Sequence, residues 1–254
     1  MDFAKCRPLI TGAGRGIGRT FVTEFLEAGA PRIYAAARSE AACVALAAVD
    51  PRVTPVRLDT RYDGQIEAAV QAARDVTVLV NNAGVERTTT FLGAPSMEDA
   101  RAEMETNYFG AFAMCRAFAP RLIETRGAIV NILSIAAVVT VPHLGSYSAS
   151  KAAARALTHG LRAELGPMGV RVIAVYAGPY ETDMAWHVPE ADAGMKHRPR
   201  MLTSAVRASL AEGEPDEVYP DPIAQAVHQA AQHDMDALIK SSTSRIYGSR
   251  AVES

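Results

Sequence analysis

Cysteine is scarce in the 254-residue sequence, and its spacing excludes the chemistry it most often signals. Cys6, Cys43 and Cys115 are odd in number, far apart and in no C-x-x-C pair, which indicates neither a disulfide framework nor a zinc site. A reducing compartment is the default. Charge of one sign is scarce as well: 26 Lys and Arg against 28 Asp and Glu leave a formal net charge of -2. Without a basic run, the chain lacks the electrostatic footprint of a nucleic-acid or anionic-membrane binder. Long hydrophobic runs are missing too, since the longest, Ile129 to Val141, is interrupted by Asn131 and Ser134 and is too short to span a bilayer. The opening MDFAKCRPLI is charged and reaches a glycine-rich segment too soon to contain a secretory h-region. His143, His187 and His197 show no metal-ligand spacing with a carboxylate partner, so no metal is expected. These absences predict a soluble cytoplasmic protein whose partners are small molecules.

Apolar residues make up 49% and charged residues 21%, near globular averages. Short β-type runs occur at Leu9-Ile10-Thr11, Arg32 to Ala36, Val76 to Val80, Ala128 to Leu133 and Val170 to Val175, with Ala-rich helical stretches between them. Strands alternating with helices predict an α/β, doubly wound Rossmann fold: a mostly parallel sheet with helices on both faces. No linker or repeat divides residues 1–254, which are read as a single domain. The first strand is placed at or after Pro8, because proline removes a ladder hydrogen bond. Asp221-Pro222 ahead of IAQAVHQAA reads as an N-cap and first turn of a late helix. The stretch 184–216, with Trp186, several prolines and mixed charges, reads as an irregular excursion that serves as a substrate lid.

The segment TGAGRGIG, residues 11–18, packs four glycines between the first strand and a helical run. It does not match G-x-G-x-x-G in any register. A strand-to-helix loop can nevertheless point backbone N–H groups and the positive helix end at a phosphate, provided side chains stay clear, and glycine meets that condition. The spacing Thr11-Gly12-x-x-x-Gly16-x-Gly18 resembles the coenzyme loop of the short-chain dehydrogenase/reductase family. The other motifs follow in order: Asn81-Asn82-Ala83-Gly84 after a strand, Asn107 in a helix, Ser134 ending a strand, and Tyr147-Ser148-Ala149-Ser150-Lys151 as Y-x-x-x-K. The resemblance covers residues 9 to about 182.

Tyr147 and Lys151, four apart on a helix, share one face. A tyrosine working near neutrality needs its pKa lowered by roughly 3 units, or about 4 kcal/mol, from the usual ~10. An ammonium about 4 Å away, at an effective dielectric near 20, supplies about that much. The resemblance implies that Tyr147 passes a proton to a ketone or takes one from an alcohol while hydride moves to or from a nicotinamide. It also implies that Ser134 orients the substrate oxygen, that Lys151 lowers the Tyr147 pKa and binds the nicotinamide ribose, and that Asn107 holds a water linking Lys151 to solvent. For Asn107 the alternative is an interior asparagine bonded to backbone.

The implied coenzyme contacts come from Gly12, Arg15, Gly16, Ile17 and Gly18, from Arg38 and Ser39, and from Asp59 and Thr60. Further ones come from Asn81, Ala83 and Gly84, from Tyr147 and Lys151, and from Gly178, Tyr180 and Thr182. A ribose diol calls for a carboxylate after the second strand and a 2′-phosphate for an arginine. Ala37-Arg38-Ser39 carries no acid there, and Arg15 provides a second guanidinium, so NADP(H) is the expected coenzyme. The chain departs from the family at Ala177, where a proline usually precedes Gly178, and in lacking a Gly-Gly closing strand. Its Tyr176 and Tyr180 either line an aromatic pocket or simply pack.

The expected activity is that of an NADP-dependent alcohol dehydrogenase or carbonyl reductase. Two alternatives are a non-catalytic dinucleotide sensor and a lyase of the halohydrin dehalogenase type. Ala152, Ala153, Ala154 and Ala156 make the helix after Tyr147 smooth, and the family often pairs it across a symmetry axis, so a homo-oligomer, tetramer or dimer, is expected.

Overall fold

The computed structural model describes residues 1–184 and 196–247, the side chains of 242–247 excepted. Seven strands form one parallel sheet: β1 (Pro8–Ile10), β2 (Ile33–Ala37), β3 (Val53–Arg57), β4 (Val78–Asn81), β5 (Ala128–Ser134), β6 (Arg171–Ala177) and β7 (Glu217–Val218). Their order is β3-β2-β1-β4-β5-β6-β7. The strand order thus reverses between β1 and β4, and a crevice opens beyond their carboxyl ends.

The inner strands are buried along their whole length, as strands covered on both faces must be. Side-chain alternation divides them between two cores: Ile10, Val80 and Val130 join one, Leu9, Leu79 and Ile129 the other. Against the first lie α1 (Gly16–Glu27) through Phe21 and Phe25 and α2 (Glu40–Ala47) through Leu46. Against the second lie α3 (Asp63–Ala72), α5 (Ala111–Thr125) through Phe118 and Leu122, and α6 (Gly145–Leu165) through Leu161. Each such buried side chain contributes about 1.5–3 kcal/mol. Pro8 opens β1 opposite Val78, and Pro55 sits in the edge strand β3; both positions tolerate a missing ladder donor.

The excursion expected at 184–216 is corrected in its second half. Pro199–Glu212 forms α7, with Leu202, Val206 and Leu210 buried in the first core beside α1. Arg207 Nε donates to the buried Glu24 of α1 at 2.6 Å. The fourfold spacing of those three apolar residues is a helical signal that the surrounding prolines and charges mask. Trp186, His187 and Met195 lie outside the described residues. Asp221 accepts from Ala224 N–H as the N-cap of α8 (Pro222–His233), as the sequence indicates, and α9 (Met235–Tyr247) follows where a closing strand is missing.

Candidate active site

The glycine loop is shaped by backbone that side chains would obstruct. Gly12 and Gly16 have φ of +65° and +52°, the left-handed region that favours glycine. A Cβ on Gly18 would stand 2.2 Å from the Gly12 carbonyl oxygen. The loop is tied to the β4 end: Thr11 Oγ1 accepts from Asn82 N–H (3.0 Å) and Ala83 N–H (2.9 Å), and Asn82 Nδ2 donates to Thr11 O (2.9 Å). No side chain caps the α1 N-terminus, whose N–H groups face the crevice as an anion site. This open, side-chain-free cradle fits a dinucleotide pyrophosphate.

One cavity of about 1360 Å³ runs from this loop past the ends of β4, β5 and β6 to α8 and α9. It exceeds the range of about 300–1,000 Å³ for a single small ligand, leaving room for a coenzyme and a second molecule. Of the catalytic and coenzyme-contacting residues expected from the sequence, all but Asn81 and Asn107 line it. The Asn81 side chain turns into the protein and donates to Asn131 Oδ1 (2.9 Å) and Cys115 Sγ (3.1 Å), because strand alternation points position 81 away from the crevice; Asn82 lines it instead.

Asn107 lies in a π-helical turn, Glu105–Gly110, between α4 (Glu98–Met104) and α5. Its amide accepts from Val85 N–H and donates to Val85 O and Ser150 Oγ, each at 2.9 Å. A separate cavity of about 10 Å³, near the lower limit for one water, lies between Asn107, Asn131 and Lys151.

At the carboxyl end of β5, Ser134 lines the cavity together with Tyr147 and accepts from Ala136 N–H at 3.1 Å. Lys151 Nζ donates to Ile132 O at 2.8 Å and lies 5.7 Å from the Tyr147 ring centre. Burial lowers the Lys151 pKa from 10.5 to about 8, against the Glu86 carboxylate, which raises it. Burial also pushes the Tyr147 hydroxyl well above its ordinary value, and Glu86 and Glu103 push it further. This corrects the expectation that Lys151 sets a low Tyr147 pKa: four-residue spacing brings the groups to one face, but desolvation dominates both.

The arginines occupy the opposite end. Arg38 is exposed on the cavity wall beside Ser39, the N-cap of α2. Arg15 pairs with Asp183 at 2.8 Å, with both side chains over 70% exposed, so the pair is worth at most about 1 kcal/mol and yields readily to a phosphate. Asp59 reaches the cavity, though Arg61 grips its carboxylate (2.6 and 2.9 Å) and holds it below the usual range.

Beyond β6, Asp221 supplies what the sequence does not reveal. Fully buried, its carboxylate accepts from Gly178 N–H (3.0 Å), Tyr180 O–H (2.8 Å) and Ala224 N–H (2.8 Å), joining the 178–182 loop to α8. Its signal, an N-cap before proline, reads as local helix chemistry alone. Tyr180 lines the cavity, while Tyr176 packs on Tyr219 with ring centres 4.8 Å apart and does not reach it. Glu86, Val141, Leu144, Ile223 and Leu238 also line the cavity without having stood out in the sequence.

Among the described residues, no three His, Cys, Asp or Glu side chains group as metal ligands, and no helix is long and apolar enough to cross a membrane. All three cysteines are buried and free.

Residues 8–193 match the model of the family described as short chain dehydrogenase. The chain is 38% identical over 180 residues to short-chain dehydrogenase PC-15 of Penicillium crustosum, covering 68% of this chain and 65% of that one, so it spans just under two thirds of that relative. It is 34% identical over 203 residues to carbonyl reductase [NADPH] 2 of Sus scrofa, covering 78% and 82%. Among solved structures, a short chain dehydrogenase from Burkholderia cenocepacia J2315, in complex with NADP, superimposes with a TM-score of 0.88 at 43% identity, covering 95% of this chain and 99% of that one. The family match spans most of the sequence and the glycine cradle, Ser134, Tyr147 and Lys151 fall within it: the chain belongs to the short-chain dehydrogenase family, a family of oxidoreductases.

Proposed function

We propose that the protein interconverts a secondary alcohol and a ketone with NADP(H), Tyr147 giving up the proton in reduction and receiving it in oxidation. The observation that carries this reading is that Ser134, Tyr147 and Lys151 line the same cavity as the glycine cradle. The nicotinamide supplies or takes up the hydride. Ser134 holds the substrate oxygen, and the Tyr147 hydroxyl in the same cavity donates its proton to it. Lys151 binds the ribose hydroxyls, as an ammonium below about pH 8, and Asn107 holds the turn at Val85 that borders the site. Arg38, aided by Arg15, selects the 2′-phosphate, since no carboxylate follows β2 to bind a ribose diol. The NADP bound by the Burkholderia relative and the NADPH in the name of the pig relative support that choice.

The lid role belongs to the 184–216 stretch, of which Met184 lines the cavity. Ala152 and Ala156 face outward on α6, whereas Ala154 packs inward, and the outward face pairs two copies of the chain in a homo-oligomer, dimer or tetramer. The test is purified protein with NADPH and a panel of ketones, followed at the reduced-coenzyme absorbance band. Turnover supports the reading. NADPH binding without turnover of any ketone identifies a sensor, and coenzyme-independent halide release from a halohydrin identifies a lyase.

A further inference from the structure

The ends of β2 and β3 bring an acid beside the arginine assigned to the 2′-phosphate. The two strands are paired in parallel with Ala37 opposite Arg57, and Leu58 N–H donates to Ala37 O at 2.9 Å. Neighbouring strands lie about 4.8 Å apart, which makes Arg38, one residue past β2, and Asp59, two past β3, close neighbours on the cavity wall. Arg38 is near enough to help hold the Asp59 carboxyl below its usual range. A bare carboxylate in this place would work against any phosphate that Arg38 attracts.

The carboxylate is not bare. Arg61 Nε donates to Asp59 Oδ1 at 2.9 Å, Arg61 Nη2 to Oδ2 at 2.6 Å, and Arg61 N–H to Oδ1 at 3.2 Å. A guanidinium fork on both carboxylate oxygens is the strong form of the ion pair. The turn around it is fixed as well: Asp59 N–H donates to Gln65 Oε1 at 2.8 Å, Tyr62 N–H to Asp59 O at 3.2 Å, and the Arg61 guanidinium stands 5.6 Å from the Tyr62 ring centre. The Asp59 side chain is 13% exposed and that of Arg61 38%, far more sheltered than the Arg15–Asp183 pair. Acid and partner cancel, and the positive charge of Arg38 is left to face the cavity.

We infer that Arg61 is a specificity-determining residue for the coenzyme: by neutralising Asp59 it keeps the wall beside Arg38 net positive and so preserves the preference for a 2′-phosphate over a free 2′-hydroxyl. It acts through Asp59, as a residue that positions and balances charge, and needs no contact of its own with the coenzyme. The inference rests on the assignment of the 2′-phosphate to Arg38 proposed above and goes beyond it.

The test is the ratio of the NADH Kd to the NADPH Kd, read by fluorescence titration at low ionic strength for wild type, Arg61→Gln, Asp59→Asn and the double variant. A ratio taken within one protein cancels the contacts common to both coenzymes, including any that Asp59 makes to the adenine, and any general loosening of the turn. By charge, the wall beside Arg38 holds a neutral pair in the wild type, a lone negative group in Arg61→Gln, a lone positive group in Asp59→Asn and no charge in the double variant. A unit charge roughly 10 Å from a phosphate predicts that the ratio falls about 3–10-fold in Arg61→Gln, stays at or above the wild-type value in Asp59→Asn, and returns to within about 2-fold of wild type in the double variant. Salt at about 1 M, where the screening length is about 3 Å, should remove most of the fall. A ratio unchanged in Arg61→Gln, one that stays low in the double variant, one that falls in Asp59→Asn alone, or a fall that survives high salt would overturn the inference, since each marks a structural turn and not a charge balance. Arg38→Ala separates the two readings. A ratio unmoved by that change while the charge order holds would overturn the Arg38 assignment and leave the role of Arg61 standing. A ratio lowered by it, with no charge order among the other variants, would overturn the role of Arg61 alone.

Discussion

In the coenzyme half of the cleft the working surface is backbone: Gly12, Gly16 and Gly18 clear the way to the α1 N–H groups, all within seven residues of one loop. In the substrate half it is side chain: Glu86, Val141, Leu144, Ile223 and Leu238 arrive from segments up to about 150 residues apart. The first half works because atoms are absent, so a single added carbon damages it. The second works because distant side chains are held in register by buried polar clamps at Asn107, Glu103 and Asp221, so it is damaged by loss of a hydrogen bond.

The largest effect is expected where the halves meet. Tyr147→Phe removes the transferable proton and keeps the ring, so kcat should fall by about 10²–10⁴ while NADPH affinity, read by fluorescence titration, stays within a few-fold. Full turnover would remove Tyr147 from the mechanism.

Gly18→Ala tests the backbone half alone. Its Cβ would meet a carbonyl oxygen at 2.2 Å, so the loop must shift; stability should drop by about 1–3 kcal/mol in denaturant melts, and NADPH binding should weaken more than ketone KM. Unchanged coenzyme affinity would show that the loop is not the cradle.

The coenzyme preference sharpens the same half. Charged hydrogen bonds of about 1.5–3 kcal/mol each predict NADPH favoured over NADH by on the order of 100-fold in kcat/KM. Arg38→Ala should erase more of that gap than Arg15→Ala, because Arg15 must first leave Asp183. Equal use of both coenzymes by the wild type would reduce the arginines to surface charge.

Asp221→Asn tests the clamps. An amide NH₂ in place of one carboxylate oxygen sets donor against donor at Gly178 N–H or Ala224 N–H, which should cost about 1–3 kcal/mol in stability and raise KM for NADPH through the 178–182 loop. A KM unchanged alongside lower stability would confine Asp221 to capping α8.

The smallest effect is a shift in a pH profile. Lys151, lowered by burial to about 8, loses its ammonium as pH rises through that value, so ketone reduction should decline on an alkaline limb near pH 8. Glu86 supports the ammonium, so Glu86→Gln should move the limb to lower pH. A limb unmoved by that change would uncouple the two groups.

The corrections fall along the same divide. The glycine loop, Ser134 at the end of β5 and Tyr147 with Lys151 on α6 were legible because each motif is local: a strand end, a tight turn and a four-residue helical spacing fix the geometry within a few residues. That Asn82 and not Asn81 lines the cavity is not legible, because one position along a strand decides which face a side chain takes. The direction of the Tyr147 shift is not legible because spacing gives distance, while burial, the larger effect here, comes from everything packed around the hydroxyl.

By itself, then, the sequence determined the alternation of strands and helices, five of the seven strands, the coenzyme cradle and the places of Ser134, Tyr147 and Lys151, since these depend on periodicity, glycine and short spacing. Only the tertiary structure decided that α7 belongs to the core, that Asp221 ties the loop after β6 to α8, and that Glu86 lines the same cavity as Tyr147. Those depend on which distant segments share a low-dielectric space, and no local pattern encodes that neighbourhood.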